Sequence, residues 1–199
     1  MTEIKASTGP RYARILSVGS ATPSRVIDNE YLLQFIDSSD EWITQRTGIR
    51  ERRWIDEGES IETLSLEAAR TAIERSGVPV DQIDAVILST ISHYHQTPAL
   101  APKLADALGI PDAAAYDISA ACAGFSYGLA QAEGMVRSGQ ARHVLVIAGE
   151  TISEITDLTD RGTAFLFGDG AGAVVVGPSE TNGIGPVVWG SDGSQSGAI

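Results

Sequence analysis

Two segments of this chain, AVILSTI (85–91) and HVLVIAG (143–149), are runs of mostly apolar residues rich in β-branched side chains. A strand with one wet face alternates polar and apolar residues, so an unbroken run fits a strand covered on both faces, as in a parallel sheet flanked by helices. The intervening sequence supplies those helices. Between Ser60 and Ser76, Leu66, Ala69 and Ile73 recur at helical spacing, with Gly77 as a stop and Pro79 beyond it. Leu100, Leu104 and Leu108 repeat up to Gly109, with Pro98 and Pro102 restricting where that helix begins. Phe125, Leu129, Ala132 and Val136 form a stripe on a helix over 122–138 that ends at Gly139.

Further strands are predicted at 14–19, at 114–119, at AGAVVVG (171–177) and within GIGPVVWGSDG (183–193). Short helices are predicted at EYLLQFI (30–36) and over 38–49, the second capped by Ser38 or Ser39. Alternating strands and helices of this kind give an α/β class with a mostly parallel sheet and right-handed crossovers. No linker divides residues 1–199, so one unit without an internal boundary is expected.

Charge and composition narrow the function. Of the 199 residues, 26 are acidic and 14 basic, a formal net charge of −12, which argues against a nucleic-acid partner because phosphates demand a basic footprint. The residues Arg46, Arg50, Arg52 and Arg53 nevertheless cluster, and beyond Arg46 they read as a solvated surface group. The N-terminal MTEIKASTGPRY has no apolar signal segment, and no run approaches the roughly 18 apolar residues of a membrane span. A soluble, cytoplasmic protein is expected, with no membrane partner. His93 and His95 fall on one side of an extended segment, but with no cysteine or clustered carboxylate nearby the metal reading is weak. The run GDGAG (168–172) lacks both the G-x-G-x-x-G spacing and a following helix.

Cys122 is the only cysteine. No intrachain disulfide is possible, which fits a reducing compartment. It falls where strand 114–119 meets the helix predicted from 122, and the unpaired N–H groups and positive dipole end of a first helical turn favour a thiolate there. That makes it a candidate nucleophile. An isolated buried structural cysteine is the competing reading.

The segment DISAACAGFSYGL (117–129) resembles the nucleophile segment of the thiolase-fold condensing enzymes, in particular the β-ketoacyl-acyl-carrier-protein synthase III family. GSATPSRVIDN (19–29), SSDEWITQRTGIRERR (38–53), LTDRGTAFLFGDGAGAVVV (158–176) and GSDG (190–193) match the same family in order. The resemblance implies a thiolase-like fold in which residues 1–199 are the first, βαβαβαββ half of a five-layered αβαβα sandwich. It makes Cys122 the acceptor of an acyl group from acyl-CoA, followed by decarboxylative condensation with malonyl-acyl carrier protein to a 3-oxoacyl thioester, the initiating step of fatty acid biosynthesis. Trp42 and Arg46 match positions at the nucleotide end of the coenzyme A tunnel, and Arg161 and Gly162 match its mouth. No cofactor is implied beyond the two thioester substrates. A homodimer is implied, with residues near 90–98 reaching the neighbouring site.

The sequence also departs from the family. Where members that take acetyl primers often carry a bulky aromatic before the proline equivalent to Pro98, this chain has Thr97, and the smaller side chain leaves room for longer or branched primers. The HQAN and GNTS motifs that hold the family's catalytic His and Asn do not occur in 1–199, and His93, His95 and His143 stand in other contexts. The Gly/Ser-rich end SDGSQSGAI (191–199) reads as a cut, with His and Asn expected from a C-terminal half or a second chain. Two alternatives remain at this level: a cysteine acyltransferase or hydrolase with another base, and a non-catalytic or merely self-acylating half of a hetero-assembly.

Overall fold

The computed structural model describes residues 8–188 and 190–197. Its main sheet has five strands: β1 (Tyr12–Ala21), β4 (Ile83–Ser89), β5 (Ala114–Ile118), β6 (His143–Glu150) and β7 (Gly170–Ser179), in the order β1-β7-β6-β4-β5. Two further strands, β2 (Arg25–Asp28) and β3 (Glu51–Trp54), make a separate antiparallel ribbon. The helices are α1 (Asn29–Leu32), α2 (Asp40–Thr47), α3 (Ile61–Ser76), α4 (Leu100–Ala107) and α5 (Gly124–Ser138). None of those described is long and apolar enough to cross a membrane.

The unbroken apolar runs are explained by what covers them. Val86 and Leu88 of β4, Leu145 and Ile147 of β6 and Ala173 and Val175 of β7 pack against α3 and α4. Their neighbours Ala85, Ile87, Val144, Val146, Val174 and Val176 pack against Ala132 and Val136 of α5 on the other face. With helices on both faces, alternate side chains have equal need to be apolar.

The helix termini follow the sequence closely. Ser39 and Ser60 accept from Trp42 N–H and Thr63 N–H, the latter in a reciprocal capping box. Gly77 and Gly139 terminate α3 and α5 with φ of 67° and 74°, a conformation that costs a residue with a Cβ.

Four readings are corrected. The sheet is mixed: β4 runs parallel to β5 and β6, whereas β7 pairs antiparallel with both β6 and β1. The excursion 151–169 leaves from Glu150 and returns to its partner Gly170. The chain therefore turns back beside the strand it left, with no crossover helix. The ribbon β2/β3 was not anticipated, because the sequence ERRW hides its buried side behind charge. No strand forms over 183–188; Trp189 of that segment lies outside the described residues. The last helix starts at Gly124, two residues beyond Cys122, which sits in a preceding 3-10 turn, Ala121–Ala123.

A smaller core joins the ribbon to α1, α2 and the loop after residue 158 through Ile27, Leu32, Ile36, Ile43, Trp54, Ala164 and Phe165. Hydrogen bonds attach it to the main sheet. Asp169, just before β7, accepts from Ile55 N–H (2.8 Å) and from the Ser153 N–H (2.8 Å) and hydroxyl, while its own N–H donates to the Arg53 carbonyl (2.8 Å).

Candidate active site

Parallel strands direct their carboxyl ends at one edge of a sheet, and ligands of α/β proteins gather there. β5 ends at Ile118, and four residues later Cys122 stands exposed to solvent, so the reading of an inert buried thiol is overturned. The turn that presents it is strained. Ala121 has φ of 45°, a left-handed conformation that costs a residue bearing a Cβ about 1–3 kcal/mol and that collects at functional sites. Ala123 N–H donates to the Ala120 carbonyl and Gly124 N–H to the Ala121 carbonyl. Neither bond uses the Cys122 N–H.

Close packing fixes the helix behind this turn. A Cβ on Gly124 would come within 1.9 Å of Ser89 Oγ, and one on Gly128 within 2.9 Å of Val146 Cγ1. Glycine at these two positions lets α5 lie close to the end of β4 and the middle of β6.

Two carboxylates organise the adjoining loops. Asp117 of β5 accepts from the N–H groups of Leu100 (2.9 Å) and Ala101 (2.8 Å), capping α4 just after the cis Thr97–Pro98 peptide. Glu150, at the end of β6, accepts from the N–H groups of Ile91 (3.0 Å) and Ser92 (3.1 Å), from Thr90 Oγ1 (3.2 Å) and from Ser92 Oγ. Asp117 also lines an open groove of about 350 Å³, together with Thr90, Ile91, His93, His95, Gln96 and Ser119. Thr97 is exposed beside Gln96. The rings of His93 and His95 stack edge-to-face at 5.7 Å, and among the described residues no group of three or more metal-ligating side chains forms.

A second cluster lies on the smaller unit. The Trp42 ring carries the Arg46 guanidinium at 4.2 Å and the Arg161 guanidinium at 4.7 Å, with the Phe165 ring edge-on at 5.6 Å. Arg161 donates from Nε to the Asp37 carbonyl. Gly162 N–H donates to Asp160 Oδ1 (2.8 Å), and the Thr163 hydroxyl together with this N–H holds the Asp160 carboxyl below its ordinary range. Cations against an aromatic face suit a flat, anionic ligand. Trp42, Arg46, Arg161 and Gly162 are thus brought together, while Cys122 and Thr97 stand at the carboxyl end of the main sheet.

The arginine cluster is corrected in one member. Arg52 is 6% exposed and belongs to the interior of the smaller unit, because the ribbon alternates Glu51 and Arg53 outward with Arg52 and Trp54 inward. Burial pushes its guanidinium down from the ordinary arginine value, opposed by the charge of Asp28.

The profile of the family described as 3-oxoacyl-[acyl-carrier-protein (ACP)] synthase III matches residues 116–193, which include the strand end, the Cys122 turn and the 158–167 loop. Over all 199 residues the chain is 57% identical to β-ketoacyl-[acyl-carrier-protein] synthase III 1 of Streptomyces avermitilis and 54% identical to the synthase III of Streptomyces glaucescens. The chain belongs to the 3-oxoacyl-[acyl-carrier-protein] synthase III family. It spans 56% and 60% of the length of those two relatives. Among solved structures, the priming β-ketosynthase of the R1128 polyketide pathway superposes with a TM-score of 0.94 at 46% identity, over 98% of this chain and 58% of that one. The 3-oxoacyl-[acyl-carrier-protein] synthase III of Aquifex aeolicus gives 0.82 at 43% identity, over 85% and 55%. The fold of this chain is thiolase-like, as its motifs implied.

Several residues that shape these two clusters carried no sequence signal of their own. Asp117 and Glu150 are acidic residues at strand ends, which is a weak cue. Asn29 and Arg52 are a polar pair in the interior of the smaller unit, visible only once the ribbon places them there.

Proposed function

We propose that this chain carries the nucleophile of an acyltransferase that accepts an acyl group from acyl-CoA on Cys122 and condenses it with malonyl-acyl carrier protein, initiating fatty acid biosynthesis. The observation that carries the reading is the sole thiol, exposed in a strained turn at the carboxyl end of a parallel strand. In the first step the Cys122 sulfur attacks the thioester carbonyl carbon, a sulfur–carbon bond forms, and coenzyme A leaves as a thiolate that takes up a proton. The Cys122 N–H is proposed as one donor to the transient oxyanion. In the second step the malonyl carboxylate departs as carbon dioxide. The electron pair left on its α-carbon attacks the acyl-enzyme carbonyl, a carbon–carbon bond forms, and the Cys122 thiolate is released with the 3-oxoacyl-acyl carrier protein as product. Both substrates are thioesters, and the reaction so written balances without a cofactor.

The face of Trp42, Arg46 and Arg161, with Gly162, is proposed to hold the nucleotide end of coenzyme A, the indole stacking on adenine and the guanidinium groups meeting phosphate. The reading draws the His and Asn that assist decarboxylation from outside residues 1–199. A cytoplasmic homodimer is part of the proposal, supported by β5, whose outer edge pairs with no strand among those described. In it the 90–98 loop of one copy reaches the other's acyl pocket, and Thr97 leaves that pocket room for longer or branched primers.

Intact mass spectrometry after incubation with acyl-CoA tests the reading. An acyl adduct is expected on Cys122, absent in Cys122→Ser, with C8 to C12 or branched donors accepted alongside acetyl. No adduct on the wild type refutes the nucleophile, and a clear preference for acetyl refutes the assignment of Thr97.

A further inference from the structure

Beneath the Trp42 face lies a buried cation that the proposed chemistry does not use. Arg52 donates from Nη1 to the Ile27 carbonyl (3.1 Å) and from Nη2 to Asn29 Oδ1 (2.8 Å) and the Phe165 carbonyl (3.1 Å). Its Nε is buried with no hydrogen-bond partner, and none of the ion pairs among the described residues involves it. Burying a guanidinium without a carboxylate in contact is costly, and a hydrophobic pair of similar volume would pack there at lower cost. Fold stability alone is therefore a poor account of its presence.

Its partners show what it holds. Asn29 is 1% exposed and turns its amide toward α2, donating to Asp40 Oδ1 (2.7 Å) at the first residue of the helix and to the Ile49 carbonyl (2.9 Å) just beyond its end. Trp42 and Arg46 ride on that helix. Phe165, whose carbonyl accepts from Arg52, sets its ring edge-on against Trp42 and belongs to the same loop as Arg161. One guanidinium thus joins the helix under the indole to the loop that places the second cation over it.

We propose that Arg52, acting through Asn29 and Phe165, is a positioning residue that sets the Trp42–Arg46–Arg161 face for the nucleotide end of the acyl donor. The inference rests on the reading of that face as the coenzyme A site. It predicts a split between donors. Losing Arg52 loosens the face and leaves the Cys122 turn, which is built on the main sheet, as it was. An acyl donor without a nucleotide is then unaffected.

The test compares the full-length wild-type polypeptide with Arg52→Gln and Arg52→Lys. Acylation of Cys122 is followed by intact mass from two donors bearing the same acyl group, acyl-CoA and the acyl thioester of N-acetylcysteamine. In Arg52→Gln the half-saturating concentration of acyl-CoA is expected to rise about tenfold, while the rate from the short thioester stays within about twofold. Arg52→Lys restores only part of the loss, because the N–H groups of an ammonium leave one nitrogen and cannot span the acceptors that Nη1 and Nη2 reach separately. An equal fall on both donors at unchanged melting temperature overturns the positioning role, and so does an unchanged half-saturation for acyl-CoA. Should Arg52→Gln not fold, Asn29→Asp is read for the same split and against the same two results, since it keeps the acceptor for Arg52 and removes both donations to the ends of α2. The underlying reading fails differently: wild type that takes both donors with equal half-saturation has no nucleotide site to position, and the proposal falls with it.

Discussion

At Gly124 a hydrogen stands where a methyl group would press on Ser89, just behind the turn that carries Cys122. A Cβ there would lie 1.9 Å from Ser89 Oγ and 3.1 Å from Ser89 Cβ, so the serine hydroxyl must rotate away and the remaining tight contact presses α5 off β4. Gly124→Ala is expected to destabilise the protein by about 1–3 kcal/mol through overpacking and to slow acylation of Cys122, because the displaced helix carries the turn with it. Urea denaturation and the rate of adduct formation check both; wild-type values in either would show that the helix absorbs the methyl without moving. The same residue shows what a sequence conceals. A glycine in an ACAGF motif can be noticed, but the serine it must clear lies on another strand. The lone cysteine was legible as a candidate from its place between a strand and a helix, and the strained φ of Ala121 that presents it was not. Arg52 was misread outright: four arginines close together suggest solvent, and only the inward phase of β3 makes one of them interior.

Among the elements, β4 and β6 were readable because helices cover both their faces and every position of their central stretches must be apolar. Their register is guarded by a polar clasp at the amino ends. Arg142 donates to Asp84 from its backbone N–H (2.6 Å) and from its guanidinium (Nη2 to Oδ1, 2.6 Å). The side-chain hydrogen bonds from Arg142 hold the Asp84 carboxyl below its ordinary value. A carboxyl lowered in the folded state contributes stability above its unfolded pKa of about 3.9 and loses it as the pH falls through the lower folded value. Arg142→Ala is therefore expected to lower stability at neutral pH and to flatten the acid limb of the stability profile below about pH 4. Denaturant midpoints from pH 2 to 7 measure this, and an acid limb as steep as in the wild type would count against the clasp. The ribbon escaped detection for the opposite reason to β4 and β6. A short strand with charge on one face and a buried arginine on the other has no hydrophobic period to read. Direction escaped as well, since a valine-rich strand such as β7 has the same composition whether it runs with its neighbours or against them.

For the whole molecule, the α/β class and the order of most elements followed from periodicity, whereas the family and the Trp42 face came from motifs that no spacing rule explains. The end of the sheet that carries Cys122 is also where Ile91, Tyr94, Ile155, Leu166 and Phe167 are exposed, and β5 leaves its outer edge unpaired among the described strands. Exposed apolar side chains and an open strand edge each favour association. Residues 1–199 prepared alone are expected to elute above their 20.9 kDa mass and to melt without a single sharp transition. A cooperative melt of a monomer would contradict this.

The pairing of Glu150 with Gly170 has a consequence for how such a protein can change over time. Because the chain leaves and rejoins the sheet at one rung of the ladder, residues can be added to the exposed part of the excursion around Arg161 at only the slowly growing entropy of loop closure, while Ala164 and Phe165 stay tied to the smaller core. Insertions at the exposed tip near Arg161 are thus tolerated more readily than changes at Thr151, Ser153 or Phe165, whose contacts reach the main sheet and the smaller core.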